Sequence, residues 1–521
     1  MKKLPIGIST LSKIIDGKYA YVDKSRFVHE LVENGSYYFL SRPRRFGKSL
    51  FIDTLKEAFE GNRELFKDLW LKDHWDWEKR FPVIHISLGS GVVGSREELD
   101  RRIVEILYRN QKRLGIDCRH PGDIPGCFGE LIRNSADKYG LRTVILVDEY
   151  DKPILDNITD AAAAMEIREG LKNLYSVIKD SDASVQFAFL TGVSKFSKVS
   201  LFSGLNNLTD ITLDFEYAAI CGYTEPEMTE VFDDHLKDKP LEDIRLWYNG
   251  YSWLGEKVYN PFSILNYLRQ GEFRNYWFET GTPTFLIQLF KKKRYSIPAI
   301  ENIEASESII GAFDVDFIEP ENLLFQTGYL TIERQRRVAG KTFYSLRYPN
   351  LEVKSSLSDY ILNRYYPDPV LKEKSQLKIF EALKEADLDA LHRRFQSLFA
   401  AIPHDWYRKN NLAEYEGYYS SIFYCYFAAL GLDVTPEDTT NHGRIDMTVI
   451  LENRIFIFEF KVVDIDKTPG TALEQIRRKG YADKYRADSD DIYLIGIEFD
   501  RAERNIVRFE WESATEGSAS L

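Results

Sequence analysis

The stretch that most limits how this chain can fold is Ser41-Arg42-Pro43-Arg44-Arg45-Phe46-Gly47-Lys48-Ser49-Leu50. It follows the apolar run Tyr37-Tyr38-Phe39-Leu40, which reads as a buried strand. It precedes Phe51, Ile52, Leu55, Ala58 and Phe59, which recur at helical spacing. A strand, a tight loop and Gly-Lys-Ser opening a helix make the setting that a phosphate-binding loop requires. Free backbone N–H groups and the positive end of the helix dipole converge there and favour an anion. In this reading Arg44, Arg45, Phe46, Gly47, Lys48, Ser49 and Leu50 surround the phosphates, with Lys48 on the β- and γ-phosphates and the Ser49 hydroxyl on magnesium. The full pattern GxxxxGK[ST] has glycine at position 42, where this chain has Arg42, so the stretch also reads as a basic turn capped by a helix.

Beyond the loop, strands and helices alternate. Residues 82–88 and 185–190 read as strands, and 96–114 and about 160–179 as helices, which implies a mostly parallel sheet. Residues 142–148 form a further apolar strand that ends in Asp148-Glu149. Such a strand delivers carboxylates to the C-terminal edge of a parallel sheet, where open α/β folds bind ligands. Asp148 would hold the magnesium through its shell and Glu149 would orient the attacking water, because positioning and charge neutralisation supply most of phosphoryl-transfer catalysis. Thr191 and Ser194 are candidate sensors of the γ-phosphate or members of a plain turn, and Lys195 and Lys198 are candidate charge stabilisers.

The bulk numbers bound the rest. A chain of 521 residues suggests roughly three to four domains. Net charge of -12 argues against a generally basic coat for nucleic acid but leaves room for a local basic channel. Cys118, Cys127, Cys221 and Cys425 form no CxxC pair and no zinc spacing, so they are expected to be reduced structural residues of a cytoplasmic protein. No run reaches the ~18 apolar residues of a membrane span, and the N-terminal apolar run is too short for a signal peptide.

Asp23-Lys24, residues 42–50, 147–153 and 190–197 together resemble the AAA-ATPase-like family of bacterial predicted ATPases, often fused to a C-terminal PD-(D/E)XK nuclease-like domain. The loop of that family commonly reads Arg-Pro-Arg-Arg-Phe-Gly-Lys-Ser, so the missing glycine is a family trait. The resemblance implies ATP binding with Mg²⁺ and leaves hydrolysis open. It also implies that 219–305 is a helical lid, where Thr224 with Glu227 reads as a capping box and Asn260-Pro261 as a helix start. Residues 306–365 read as helix, helix and hairpin, and look like a winged helix whose Arg334, Arg336, Arg337 and Lys341 either touch phosphates or form a solvated tip. Residues 366–412 read as a helical connector.

The C-terminal segment holds a second constellation. Residues 414–430 are helical, 433–438 extended, 443–450 and 454–462 a hairpin, and 491–499 a last strand, after a helix that starts at Thr468-Pro469 and carries Gln475 and Tyr481. On the return strand Glu459 and Lys461 share one face, about 6.6 Å apart, while Phe456, Phe458 and Phe460 take the other. An acid and a lysine on an apolar strand need a partner or a metal. Asp446 on the adjacent strand supplies a second carboxylate, and hard oxygen ligands suit Mg²⁺ or Mn²⁺. The set resembles the PD-(D/E)XK nuclease superfamily, with Ile445 where the name has proline. That resemblance adds Glu416 as a metal ligand and Gln475 as a catalytic residue. Arg477, Arg478, Lys479, Lys484 and Arg486 stand ready to follow a phosphate backbone.

The expected fold class is therefore α/β: a P-loop NTPase parallel sheet (1–218) with helical lid and winged helix, followed by a PD-(D/E)XK restriction-endonuclease-like α/β domain (413–521). The expected activity is ATP binding and hydrolysis coupled to a Mg²⁺- or Mn²⁺-dependent nuclease acting on DNA. The alternative is a nucleotide-controlled switch or DNA-binding regulator whose nuclease fold does not cut. Oligomeric state stays open, a homo-oligomer included.

Overall fold

The computed structural model describes residues 1–195, 201, 205, 207–278, 297–311, 319–365, 369–401, 416–463 and 472–514. By its internal contacts the chain divides into two compact units: Met1–Gly281 with Glu304–Asn350, and Thr282–Ile303 with Leu351–Leu521.

The first unit is built on five strands: β1 (Tyr37–Ser41), β2 (Val83–Ser87), β3 (Thr143–Asp148), β4 (Val185–Gly192) and β5 (Thr209–Asp210). Their spatial order is β2-β3-β4-β1-β5 and every neighbouring pair is parallel. All six residues of β3 are buried, as parallel strands covered on both faces require. Helices Lys48–Phe59, Arg96–Leu114 and Ala161–Asp180 fall where periodicity places them. A fourth, Ile124–Tyr139, buries Cys127, Phe128, Leu131, Ile132 and Ser135 at helical spacing along one face. Pro125, Gly126 and Gly129 interrupt its first turns, and the Asp123 carboxylate caps it by accepting from Gly126 N. Before the sheet, residues 19–24 make only an isolated bridge from Tyr19 to Lys3.

The cysteine expectation is corrected. Cys118 and Cys127 are joined in a disulfide, because the turn between two helices folds back and brings their Cα atoms to 5.2 Å. Cys221 and Cys425 are free and buried.

Beyond the sheet, β6 (Tyr223–Thr224) pairs with β7 (Val258–Tyr259). Thr224 and Glu227 form the expected capping box for helix Glu225–Val231, and the Asn260 side chain caps helix Pro261–Gln270. The aromatic residues here are packing: Tyr248, Tyr267 and Tyr276 are buried in one apolar cluster with Met228 and Phe232. Next come β8 (Ile303–Ser306), β9 (Thr331–Val338) and β10 (Lys341–Arg347), ordered β8-β10-β9. Ala339 and Gly340, both at positive φ, turn the hairpin as a two-residue loop demands. Helices Glu307–Ile310 and Pro320–Thr327 precede it, the first a single turn.

In the second unit, helix Glu416–Ala429 packs against helix Leu351–Tyr365. A five-stranded mixed sheet runs in sequence order: β11 (Asp433–Thr440), β12 (Gly443–Leu451), β13 (Arg454–Val463), β14 (Asp491–Asp500) and β15 (Ile506–Ser513). Only β13 and β14 are parallel, with helix Ala472–Lys479 in their crossover. Phe458 and Phe460 lie on the face toward Phe423 of the long helix, and Ile455 and Ile457 pack with Leu473 and Ile476 on the other. The strand β15 went unanticipated. The helix start at Thr468-Pro469 lies outside the described residues, and Tyr481 stands in a 3₁₀ turn after the helix instead of on it.

Candidate functional site

Two places gather the residues singled out from the sequence, one in each unit. In the first, β1 runs into the loop and the chain turns through Arg45 and Gly47, both at positive φ (68° and 96°). Gly47 is the residue before the helix, where a left-handed conformation costs a side-chain-bearing residue most. Arg45 tolerates it at a cost of order 1–3 kcal/mol, the kind of strain that collects at ligand sites. The Lys48 ammonium is buried and donates to the carbonyls of Arg42 and Pro43, each at 2.9 Å. Burial pulls its pKa down, against the opposing pull of the Asp148 charge.

Asp148 ends β3, almost wholly buried, with the Ser49 hydroxyl beside it. Burial raises its carboxyl above the usual range, and its Oδ1 has no hydrogen-bond partner. Glu149, next along, is held at φ 53° with its carboxylate against Gly89, where any Cβ would sit 2.5 Å from Glu149 Oε2. The strand order explains the meeting. Since β4 lies between β1 and β3, the ends of all three strands converge on the same edge.

A cavity of about 490 Å³ opens there, within the size range of small-molecule sites. All seven predicted loop residues, Arg44 to Leu50, line it together with Glu149, while Asp148 lies beneath the wall. The far side is apolar: Ile8, Tyr21, Tyr223, Phe262 and Leu265, with Arg45 stacked over Phe262 at 5.1 Å. The wall also holds Lys24, whose ammonium pairs with Glu227 at 2.6 Å, and Asp151. Asp151 is fully buried and accepts from Val193 N, Ser194 N and the Ser194 hydroxyl. The sensor candidates are therefore engaged: Thr191 donates to Leu40 O at 2.7 Å and Ser194 to Asp151 at 2.6 Å. Lys195 is ion-paired with Asp210, and Lys198 lies outside the described residues. A buried lysine, an orphaned carboxylate oxygen and a hydroxyl beside it fit a phosphate with a divalent cation.

In the second unit the hairpin register makes the site. The β12–β13 ladder closes with Met447 opposite Phe458, so Asp446 and Glu459 come opposite each other one step further on. There the strands part, and Asp446 Oδ2 accepts from Phe460 N at 2.7 Å. Gln475 bridges: its amide nitrogen donates to Glu459 Oε1, and its oxygen accepts from Lys461 Nζ at 2.7 Å. The helix carrying Gln475 sits close because position 496 is glycine, facing Glu459 across β14; a Cβ there would lie 2.3 Å from Leu473 N. Glu498 adds a hold on the same helix by accepting from Ala472 N at 3.1 Å.

Glu459 is buried and Asp446 half-buried, and both carboxyls are pushed well above the usual range. Burial is the main cause, and neighbouring negative charge adds to it: Glu416 and Glu437 for Asp446, Asp446 foremost for Glu459. Glu459 Oε2 is buried without a partner. Two such carboxylates fit a divalent cation, since Mg²⁺ takes one or two carboxylates and keeps several waters. Glu416 does not complete a three-acid cage. It is exposed on the first turn of its helix, and among the described residues no group of three or more His, Cys, Asp or Glu is placed to hold a metal ion. Of the basic residues near by, Arg477 pairs with Glu512, Lys484 with Asp438 and Arg486 with Asp483.

Sequence reasoning missed Arg42, Gly89, Asp151 and Gly496. Only the two glycines had a signal, as glycines beside or within strands.

This pairing of folds defines a class. Residues 5–202 match the family described as predicted AAA-ATPase, and residues 414–509 match the PD-(D/E)XK nuclease superfamily. The chain belongs to that family of AAA-ATPase-like proteins with a PD-(D/E)XK domain, and its fold is a P-loop-type parallel sheet followed by a restriction-endonuclease-like sheet. In particular it is similar to an Azotobacter chroococcum mcd 1 protein described as the uncharacterized protein in the vnfD 5′ region. The two are 54% identical over 514 residues, covering 98% of this chain and 99% of the relative. Among solved structures it is similar to the Aeropyrum pernix ORC1 protein in complex with DNA, at 13% identity and a TM-score of 0.24, covering 66% of this chain and 93% of that one. Among the described residues no helix is long and apolar enough to cross a membrane.

Proposed function

We propose that the first unit binds ATP and that the second cleaves DNA phosphodiesters, with nucleotide state controlling the cut. The observation that carries the reading is the Glu459–Gln475–Lys461 bridge set opposite Asp446. A buried Glu459 whose pKa is raised by burial and by the half-buried Asp446 opposite, beside a lysine, makes a costly arrangement for stability alone and a useful one for a cation and a phosphate.

Mg²⁺ or Mn²⁺ bound at these carboxylates supplies charge neutralisation and a polarised water. Asp446 and Glu459 hold that charge in place, Lys461 faces the scissile phosphate and steadies the developing negative charge, and Gln475 aims Glu459 and Lys461 together. Glu416, at the rim, biases the field. In the first unit Lys48 would leave its two carbonyls for the β- and γ-phosphates, Ser49 and Asp148 would hold magnesium, and Glu149 would orient water for hydrolysis.

The test is plasmid cleavage with ATP and Mn²⁺, comparing wild type, Asp446→Ala and Lys48→Ala. Loss of cutting in Asp446→Ala is expected; equal cutting by both proteins would discard the nuclease assignment. A second reading, a nucleotide-controlled switch that does not cut, is favoured by the closure of Gln475 onto both Glu459 and Lys461. Absence of cleavage on single- and double-stranded DNA with either metal, together with ATP binding, would select it.

A further inference from the structure

The loop pattern has glycine at position 42, and the arginine found there is the least exposed cation among the described residues of the first unit. Arg42 is 0% exposed. Its backbone is not in the left-handed region, and its N–H donates to Gly192 O at 3.2 Å, so the β1–β4 ladder runs one residue further than β1 itself. Its carbonyl receives the Lys48 ammonium. Its guanidinium donates to Ser41 O and Thr212 O at 2.9 Å and Tyr217 O at 3.1 Å, and reaches Ala218 O at 3.5 Å. One face lies 4.1 Å from the ring centre of Trp253.

Main-chain oxygens thus take both terminal nitrogens and an aromatic ring covers one face, while Arg42 Nε is buried without a hydrogen-bond partner. Burial lowers its pKa, to about 10, and still leaves it charged at neutral pH. The segment it grips, Thr212 to Ala218, runs directly into Ile220, Cys221, Gly222 and Tyr223, which line the cavity together with the loop. Gly222 N in turn donates to Phe46 O, at the loop's crest. One side chain therefore ties the start of the phosphate loop to that part of the cavity wall.

We propose that Arg42 is a positioning residue for nucleotide binding. It sets the distance between the phosphate loop and the 212–223 wall, and it fixes the carbonyl on which Lys48 rests, doing from outside the loop what a glycine elsewhere does by conformation. The inference rests on the proposal that the cavity takes a nucleotide. Its sharpest consequence runs against the pattern: restoring the glycine weakens the site. Arg42→Gly opens a guanidinium-shaped void and removes a donor from four buried carbonyls, of which Tyr217 O keeps Ile220 N; a buried carbonyl left unpaired costs free energy. The loop then has to be ordered at the expense of binding.

The experiment measures affinity for a fluorescent ATP analogue with Mg²⁺ on the full chain, for wild type, Lys48→Ala, Arg42→Gly and Arg42→Lys. Wild-type binding with loss in Lys48→Ala upholds the nucleotide site; no binding by wild type removes that reading and takes this inference with it. Given wild-type binding, Arg42→Gly is expected to weaken affinity by about tenfold or more, and millimolar methylguanidinium to recover most of it while methylammonium does not. A merely structural loss would not respond to the shape of the added cation. Affinity in Arg42→Gly equal to or tighter than wild type, or recovery by both cations alike, overturns the proposal. Should Arg42→Gly fail to fold, Arg42→Lys decides: its single ammonium reaches fewer of the four carbonyls, so weakened binding supports the role and unchanged binding overturns it.

Discussion

In the first unit Lys48 is buried with its ammonium on two main-chain carbonyls. In the second, a half-buried Asp446 stands opposite a buried Glu459, one of whose carboxylate oxygens is answered by nothing. The difference is one of charge balance. The loop site is shaped by backbone and by Arg42, so its geometry stands without a ligand. The carboxylate site is held by side chains against its own repulsion, so its geometry depends on a cation or on protons. A preformed anion site and an unfinished cation site on one chain should therefore respond in opposite ways to metal, pH and truncation.

The largest effect expected is the separation of the two activities. Asp446→Ala or Lys461→Ala should lower DNA cleavage by about a thousandfold or more with ATP affinity unchanged, read by gel and by nucleotide titration on the same preparations. Lys48→Ala should do the reverse to binding, raising the dissociation constant for ATP about a hundredfold while metal-induced stabilisation of the second unit persists. If Asp446→Ala also removed ATP binding, or Lys48→Ala also removed the metal-induced stabilisation, the two sites would not form independently.

Next comes acidity. Both carboxyls titrate above the unfolded carboxylate range, so the folded chain keeps protons there that the unfolded chain has released. Without metal, stability should fall as pH rises from about 4 through the raised values. Glu459→Gln should blunt that fall and, in EDTA at about pH 8, be more stable than wild type by about 1 kcal/mol. Mn²⁺ should stabilise wild type and leave Glu459→Gln little changed. Melting curves across pH with and without metal check all three.

Gly496→Ala sharpens the comparison from the packing side. A methyl 2.3 Å from Leu473 N must push the Gln475 helix off the sheet, at about 1–3 kcal/mol. Cleavage should fall and ATP binding should not. The smallest effect is at the hairpin tip. Arg337→Ala and Lys341→Ala are exposed changes expected to alter stability by less than about 0.5 kcal/mol. If the tip touches DNA, each should reduce the salt slope of binding by about one.

Much of this was legible in the residues, and the pattern of what was not has a physical cause. Lys48, Ser49, Asp148 and Glu149 could be placed because each ends or begins an element whose period is written in its neighbours. Asp446 and Glu459 could be paired because a hairpin's register follows from alternation. Arg42 could not be read as a rivet, because its partners are carbonyls 170 to 176 residues on, and main-chain atoms carry no sequence signal. Thr191 and Ser194 looked free for a ligand for the same reason: the acceptors that occupy them, Leu40 O and the Asp151 carboxylate, are set by tertiary placement. Glu416 was carried in by resemblance, and the geometry leaves it at the rim.

The strand order has a consequence for how the molecule is made. β1 finds its neighbours only in β4 and β5, and Tyr37 pairs with Ala188. A ribosome adding 5–20 residues per second needs roughly ten to thirty seconds to supply the about 150 residues between them. For that interval Tyr38, Phe39 and Leu40 emerge with no edge to join, so the nascent chain should be a client for a holding chaperone. Any product that stops before residue 185 should lack the loop site altogether.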